Sequence, residues 1–324
     1  MVRINAELSD ALPITCGVPQ GSVLGALLFS IYVNDLPAVS EVCSTTCYVD
    51  DTKLILSFTV DECHATEDKI NADLQRIRDW CFENYLLLNP DKTKLMVFGS
   101  QQMICKLPSF KLSFLGKELL PTDSVKDLGV IFDPTLSFDS HITALAATCI
   151  SRLAQINRAK HAFNPNLLVK IINALVFSRL FYCSTVWSNT SEKNLRKLQH
   201  VQNFAARIIS GKRKFDHITP VLRELRWLTV TQQLFLRDAV FTFKCMTGCA
   251  PDYLTSKLVT RGQASGRVTR NSQQLNIPLF RTATGQRSFQ YRAVSLWNSL
   301  DKDLKLSKNH EVFKRKLKHI LRDT

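Results

Sequence analysis

Hydrophobic and polar positions along the chain change their period twice, and each change marks a change of structure. After a Gly/Pro-punctuated loop from Pro13 to Gly25, the run Ala26–Leu36 is apolar on all sides and reads as a buried helix. Cys43–Val49 and Thr52–Phe58 are β-prone runs separated by Asp50-Asp51, the pattern of a hairpin. In the first run Thr46, Tyr48 and Asp50 share one face, and Cys47 and Val49 the other. From Asp61 to Asn84 the period lengthens: Cys63, Ile70, Leu74, Ile77 and Cys81 fall at helical spacing, with acids and arginines between. Leu95–Phe98, Phe110–Leu115 and Val125–Phe132 read as further strands, so the first 135 residues are mixed α and β.

Beyond about residue 140 the pattern is almost wholly helical. Asn164-Pro165 is a start signal, an N-cap followed by proline in the first turn. Leu167, Leu168, Ile171, Ile172, Leu175 and Val176 then form a broad apolar stripe. On a wheel of 3.6 residues per turn, Ser191–Ser210 puts Leu195, Leu198, Val201, Gln202, Ala205, Ile208 and Ile209 on one side. Lys193, Arg196, Lys197, His200 and Arg207 take the other side, with Phe204 among them, and Gly211 ends the helix before Lys212-Arg213-Lys214. Such a face either contacts nucleic acid, with Phe204 stacking on a base, or is a solvated or domain-packing surface. Lys314 to Lys318 is a second basic cluster with a weaker claim. The pattern divides the chain into 1–140, 141–215 and 216–324, an α+β part followed by helical ones.

Charge sharpens the division. Residues 1–140 carry 11 Lys and Arg against 19 Asp and Glu, a net of −8, whereas residues 141–324 carry 31 against 9, a net of +22; together they give the chain's +14. An acidic first part joined to a strongly basic second part fits a protein whose second part meets a polyanion. Ten cysteines lack a framework or zinc spacing and read as free thiols in a reducing compartment. No apolar leader opens the chain, and Val23–Val33 is too short to span a bilayer, so the expectation is a soluble intracellular protein, nuclear or cytoplasmic.

The candidate chemistry lies at Asp50-Asp51. Phosphoryl and nucleotidyl transfer depends on positioning and on neutralising the transferring phosphate, which two divalent ions held by carboxylate oxygens achieve. By itself such a pair is more often an acidic surface turn. Thirty residues earlier stands GVPQGSVLG, a bare loop that a nucleic-acid strand can approach closely. GVPQGSVLGALLFSIYVNDLP followed by YVDDT resembles motifs B and C of reverse transcriptases, in the form used by non-LTR (LINE-type, jockey-like) retrotransposons. LNPDKTKLMVF resembles motif D, and VKDLGVIFDPTLSFDSHI resembles motif E, the primer grip. YCSTVWSNTSEKNLRKLQHVQNFAARIISG and SFQYRAVSLWNSL resemble segments downstream of the polymerase core, which argues against an intron-encoded maturase.

The resemblance implies a partial right-hand palm with a helical thumb and a basic C-terminal region. It implies RNA template, DNA primer and dNTPs as partners, and two Mg²⁺ ions. Asp50 and Asp51 become the motif C metal ligands, with Tyr48 in the same turn. Pro19, Gln20, Gly21 and Ser22 become the loop along the template and nascent pair. Lys92 becomes a proton donor to pyrophosphate, although a solvated lysine in its turn is the plain alternative. Leu128 and Gly129 fall at the primer grip. Val49 stands where Ala is commoner, Ala26 where Pro is common, and Asp127 where an aromatic is often found. The sixteen residues before Gly17 hold Glu7 and Asp10 but no motif A pattern; the motif A aspartate, the fingers and the aromatic gate that excludes ribose are missing. The expectation is therefore an N-terminally truncated polymerase, inactive alone; the alternative is a non-catalytic nucleic-acid-binding remnant.

Overall fold

A computed structural model describes residues 3–5, 7–10, 13, 17–18, 21–266 and 271–323. The chain divides into two units, residues 1–97 with 102–122, and residues 98–101 with 123–324.

The first unit is built around one long helix. Helix α1 spans Gly25–Tyr32; strands β1 (Ser44–Tyr48) and β2 (Asp51–Ile55) form an antiparallel hairpin; helix α2 runs Cys63–Glu83. A second hairpin, β3 (Leu112–Phe114) and β4 (Lys117–Leu119), completes the layer. The face of α2 expected from its period is the one that is buried: Cys63, Leu74, Ile77 and Cys81 lie inside, with Ile70 half-buried. Leu74 and Cys63 pack with Phe110, Leu112, Phe114 and Leu119, while Ile77 and Cys81 pack with Leu36 and Cys47. Leu54 of β2 touches both groups, which ties the first hairpin to α2 on its inner side.

Three expectations differ here. Helix α1 forms, but none of its residues is buried; Leu27, Leu28 and Ile31 are exposed, because no described element of this unit covers its apolar face. Leu95–Phe98 is not a strand: Leu95 makes a single parallel bridge to Pro121, since its neighbours are taken up by the Asn89 turn and by packing. Phe110–Leu115 continues through a turn at Leu115-Gly116, both with positive φ, into β4.

The second unit opens with a hairpin where one strand was expected. Strands β5 (Val125–Asp127) and β6 (Val130–Phe132) fold back at Leu128 (φ 42°) and Gly129 (φ 86°), the left-handed pair of a type I′ turn. This hairpin belongs with the helices rather than with the first unit: Val130 and Phe138 are buried in the helical core. Helices α3 (Asp139–Ala159) and α4 (Pro165–Ile172) follow, α4 running on through a wider π turn at Asn173–Phe177. Asn164 caps α4 as its sequence implies, accepting from the Leu167 N–H at 2.9 Å. Helix α5 (Glu192–Ser210) is capped by Ser191 and stopped by Gly211 at φ 69°. Helices α6 (Val230–Met246), α7 (Phe289–Ser299) and α8 (His310–Asp323) complete the unit.

Among the described residues two large cores dominate this unit, with a small cluster of Ala206, Ile218, Val221 and Leu222 beside them. One gathers α3, α4, α5 and the start of α6 around Trp187, Leu198 and Val201; the other gathers the rest of α6 with α7 and α8 around Phe243, Trp297 and Phe313. A buried charged pair joins the elements: Arg292 of α7 binds Asp238 of α6 and the Thr185 carbonyl, and Ser188 also donates to Asp238. No helix among the described residues is long and apolar enough to cross a membrane. Nine described cysteines are free thiols, five of them buried; burial pushes Cys43 up to about 12 and Cys149 to about 11.

Candidate active site and nucleic-acid interface

Register fixes the carboxylates. Tyr48 pairs with Asp51, so Val49 and Asp50 form a two-residue connection at the tip of the first hairpin. Val49 has φ 56° and Asp50 does not, the pattern of a type II′ turn, whose first position ordinarily takes glycine. A β-branched residue there is strained. Tyr48, Val49, Asp50 and Asp51 are all exposed, while Cys47 behind them is half-buried against Cys81 and Ile77. The tip thus projects from a packed base.

What holds that base is a residue the sequence reading passed over. Asp73, fully buried on α2, accepts hydrogen bonds from three successive backbone N–H groups, Glu41 (3.0 Å), Val42 (3.1 Å) and Cys43 (2.7 Å). Those residues lead directly into β1. Arg76, one turn along, binds both Asp73 and Glu41. Burial alone would raise the Asp73 carboxyl; the donors from Cys43, Glu41 and Val42 outweigh it and hold the group down to about 2. An acid at a helical position whose neighbours are apolar was the available signal.

Asp50 and Asp51 offer hard oxygen donors open to solvent, the right chemistry for a divalent cation. Two carboxylates fill part of such a coordination sphere, and among the described residues no cluster of three or more acids, histidines or cysteines is placed to hold a metal.

The other candidate residues lie in different places. Gly21 (φ 85°) and Ser22 are exposed, the Ser22 carbonyl accepting from Gly25 at the start of α1; Pro19 and Gln20 lie outside the described residues. Lys92 is exposed on a turn that Asn89 organises by accepting from the N–H groups of Asp91 and Lys92. Leu128 and Gly129 form the turn of the hairpin in the second unit. There the Tyr182 hydroxyl donates to the Leu128 carbonyl at 3.1 Å, and a Cβ on Gly129 would meet the Tyr182 ring at 3.3 Å.

The basic face of α5 is less free than its wheel suggests. Lys193, Arg196 and His200 are exposed. Lys197 donates to Thr143 (2.8 Å) of the neighbouring helix. Arg207 donates to the carbonyls of Arg213 and Asp216, bracing the loop that carries Lys212, Arg213 and Lys214. Phe204 is half-buried against the helical core, so its ring packs on the protein instead of standing among the exposed cations.

Residues 1–132 match the reverse transcriptase (RNA-dependent DNA polymerase) family. The chain is 27% identical over 252 residues to a probable RNA-directed DNA polymerase from transposon BS of Drosophila melanogaster, covering 72% of this chain and 26% of that protein. It is 31% identical over 211 residues to the RNA-directed DNA polymerase from mobile element jockey of Drosophila funebris, 61% of this chain and 22% of that protein. Its similarity to the Drosophila melanogaster jockey polymerase is 25% over 236 residues, 69% of this chain and 25% of that protein. The chain thus spans about a quarter of the length of these relatives. No solved structure matches it. Residues 1–132 are thus a reverse transcriptase domain, and the similarity to the polymerases of jockey and other Drosophila transposable elements fits a LINE-type one.

Proposed function

We propose that this chain is the motif B-to-E part of an RNA-directed DNA polymerase that adds nucleotides to a primer 3′-OH on an RNA template. The observation that carries the reading is the exposed Asp50-Asp51 tip on a hairpin anchored from beneath by Asp73. Two Mg²⁺ ions, when bound, would polarise the attacking hydroxyl and neutralise charge on the transferring phosphate. Asp50 is the principal ligand in this reading and Asp51 the supporting one. Gly21 and Ser22, with Pro19 and Gln20, line the template and nascent pair. Lys92 donates a proton to the leaving pyrophosphate, Tyr48 joins the template- and nucleotide-binding residues, and Leu128-Gly129 hold the primer strand. Residues 1–140 are then part of the palm, residues 141–215 a thumb, and residues 216–324 a basic C-terminal domain.

Two carboxylates alone leave a cation pair short of ligands. In a polymerase that supplies the third carboxylate, primer extension on RNA with Mg²⁺ proceeds and Asp50→Asn reduces it to background. Undiminished extension by Asp50→Asn refutes the metal assignment.

A second reading is favoured by the net +22 of residues 141–324: a nucleic-acid-binding protein without catalysis. It expects salt-dependent RNA or DNA binding that survives removal of residues 47–54, and no extension in any context.

A further inference from the structure

Helix α8 has two faces with different occupants. Phe313 and Leu317 are buried against α6, and Leu321 is half-buried beside them. The outer face is basic: Lys314, Arg315, Lys316 and Arg322 are exposed and Lys318 is partly so. Lys314, Lys318 and Arg322 are four residues apart, which sets them in one line about 12 Å long. Among the described residues no carboxylate pairs with any of the three, and the helix's own acids, Glu311 and Asp323, lie beside His310 and His319. Arg322 also donates to the Arg226 carbonyl at 2.8 Å, so an exposed arginine continues the line past the end of the helix.

Like charges at this spacing repel and weaken a helix. Partial burial, then the neighbouring Arg322 and Lys314, push the Lys318 ammonium below the ordinary lysine range. Helix α2 shows the usual solution on an exposed surface, with acids among its bases at Glu67, Asp68, Asp79 and Glu83. Helix α8 lacks that dilution. On α5 Lys197 and Arg207 are engaged in intramolecular bonds, as Arg322 is on α8, whereas Lys314 and Lys318 have no carboxylate partner among the described residues.

We propose that the line Lys314–Lys318–Arg322, flanked by Arg315 and continued by Arg226, docks the phosphodiester backbone of RNA or DNA and is the stronger nucleic-acid surface of the second unit. The partner's class rests on the polymerase reading, but the site rests on charge placement and needs no catalysis. A lipid surface is disfavoured by the same geometry: the apolar face that would enter a membrane is occupied by α6.

Fluorescence polarisation of the full chain with labelled single-stranded RNA and DNA of one sequence, from 50 to 200 mM salt, tests this. Replacing Lys314, Lys318 and Arg322 by Gln removes three phosphate contacts, which lowers the slope of log K against log salt by about two. Across that salt range the unaltered chain then loses roughly twentyfold more affinity than the variant. The variant's unfolding midpoint stays level or rises, since a self-repelling line is gone. Loss on both probes, or on one, supports the site and in the second case names the strand. Should the triple variant unfold, Lys314→Gln alone, on an exposed side chain, lowers the slope by about 0.7 on a single strand. The proposal is overturned if these variants keep the original slope, if Gln at Lys193, Arg196 and His200 costs more slope, or if vesicles of phosphatidylserine and phosphatidylcholine bind as tightly as RNA. The slope is read without primer extension, so failure here and failure of the polymerase reading are separate results.

Discussion

Replacing Asp73 by Asn keeps the shape of the side chain and removes half of what it does. The carboxylate presents one oxygen to Glu41 N–H and the other to the N–H groups of Val42 and Cys43. An amide can satisfy one side, and its NH₂ faces donors on the other. Buried donors left unpaired cost about 1–3 kcal/mol, and the lost charge also frees Arg76. A total of about 3 kcal/mol follows, equivalent to a factor on the order of 10² in local opening. Hydrogen exchange read by mass spectrometry measures it directly: peptides spanning 41–55 lose protection by about that factor, while peptides from α5 and α6 do not change. Asp79→Asn, an exposed acid on the same helix, is the control and leaves exchange unaltered. The pH dependence has a defined sign. The folded carboxyl sits at about 2 against an ordinary value near 3.8, so its contribution of about 2 kcal/mol is complete above pH ~4 and is lost as pH falls toward 2. Unchanged protection of 41–55 in Asp73→Asn, or a loss spread equally over both units, would refute the claim that Asp73 anchors the hairpin.

Val49→Gly relieves the positive φ at the hairpin tip, partly offset by the freedom glycine has when unfolded; a net gain of about 1 kcal/mol slows exchange across 44–55 roughly fivefold, and faster exchange would contradict the strain assigned there. Asp238→Ala strands Arg292 in the core and destabilises the second unit by about 3–5 kcal/mol in urea unfolding, whereas Asp238→Leu with Arg292→Met recovers most of it. A double variant no more stable than the single one would show that the pair is favourable beyond mutual neutralisation.

The elements that were legible are those whose signal is local. The period of α2 names the apolar residues of its inner face, though not Thr66 or Asp73 beside them, and Asn164, Ser191 and Gly211 announce the ends of their helices. The carboxylate turn was equally plain, because two acids interrupt a β-prone run. The Leu128-Gly129 and Leu115-Gly116 turns were hidden: leucine in a left-handed conformation has no sequence signature, and one glycine in a strand-like run reads as a bulge or nothing. Partnership was the other blind spot. Composition shows that α1 is apolar but not what covers it, and a wheel shows that Arg207 points outward but not that two carbonyls meet it there. Asp73 combines both problems, since its partners are backbone groups thirty residues away.

Helix α6 has a consequence for how the second unit comes apart. Its first turns, Val230 and Leu234, complete the core around Leu198 and Val201, and its later turns, Leu236, Ala239 and Phe243, complete the core around Trp297 and Phe313. A single rigid rod thus serves two otherwise separate hydrophobic bodies. Neither can melt without withdrawing one end of the rod from the other, so the two halves share one fate on heating or under tension. A load applied to α8 would be carried through this rod to the helices around Trp187 rather than absorbed in a flexible joint.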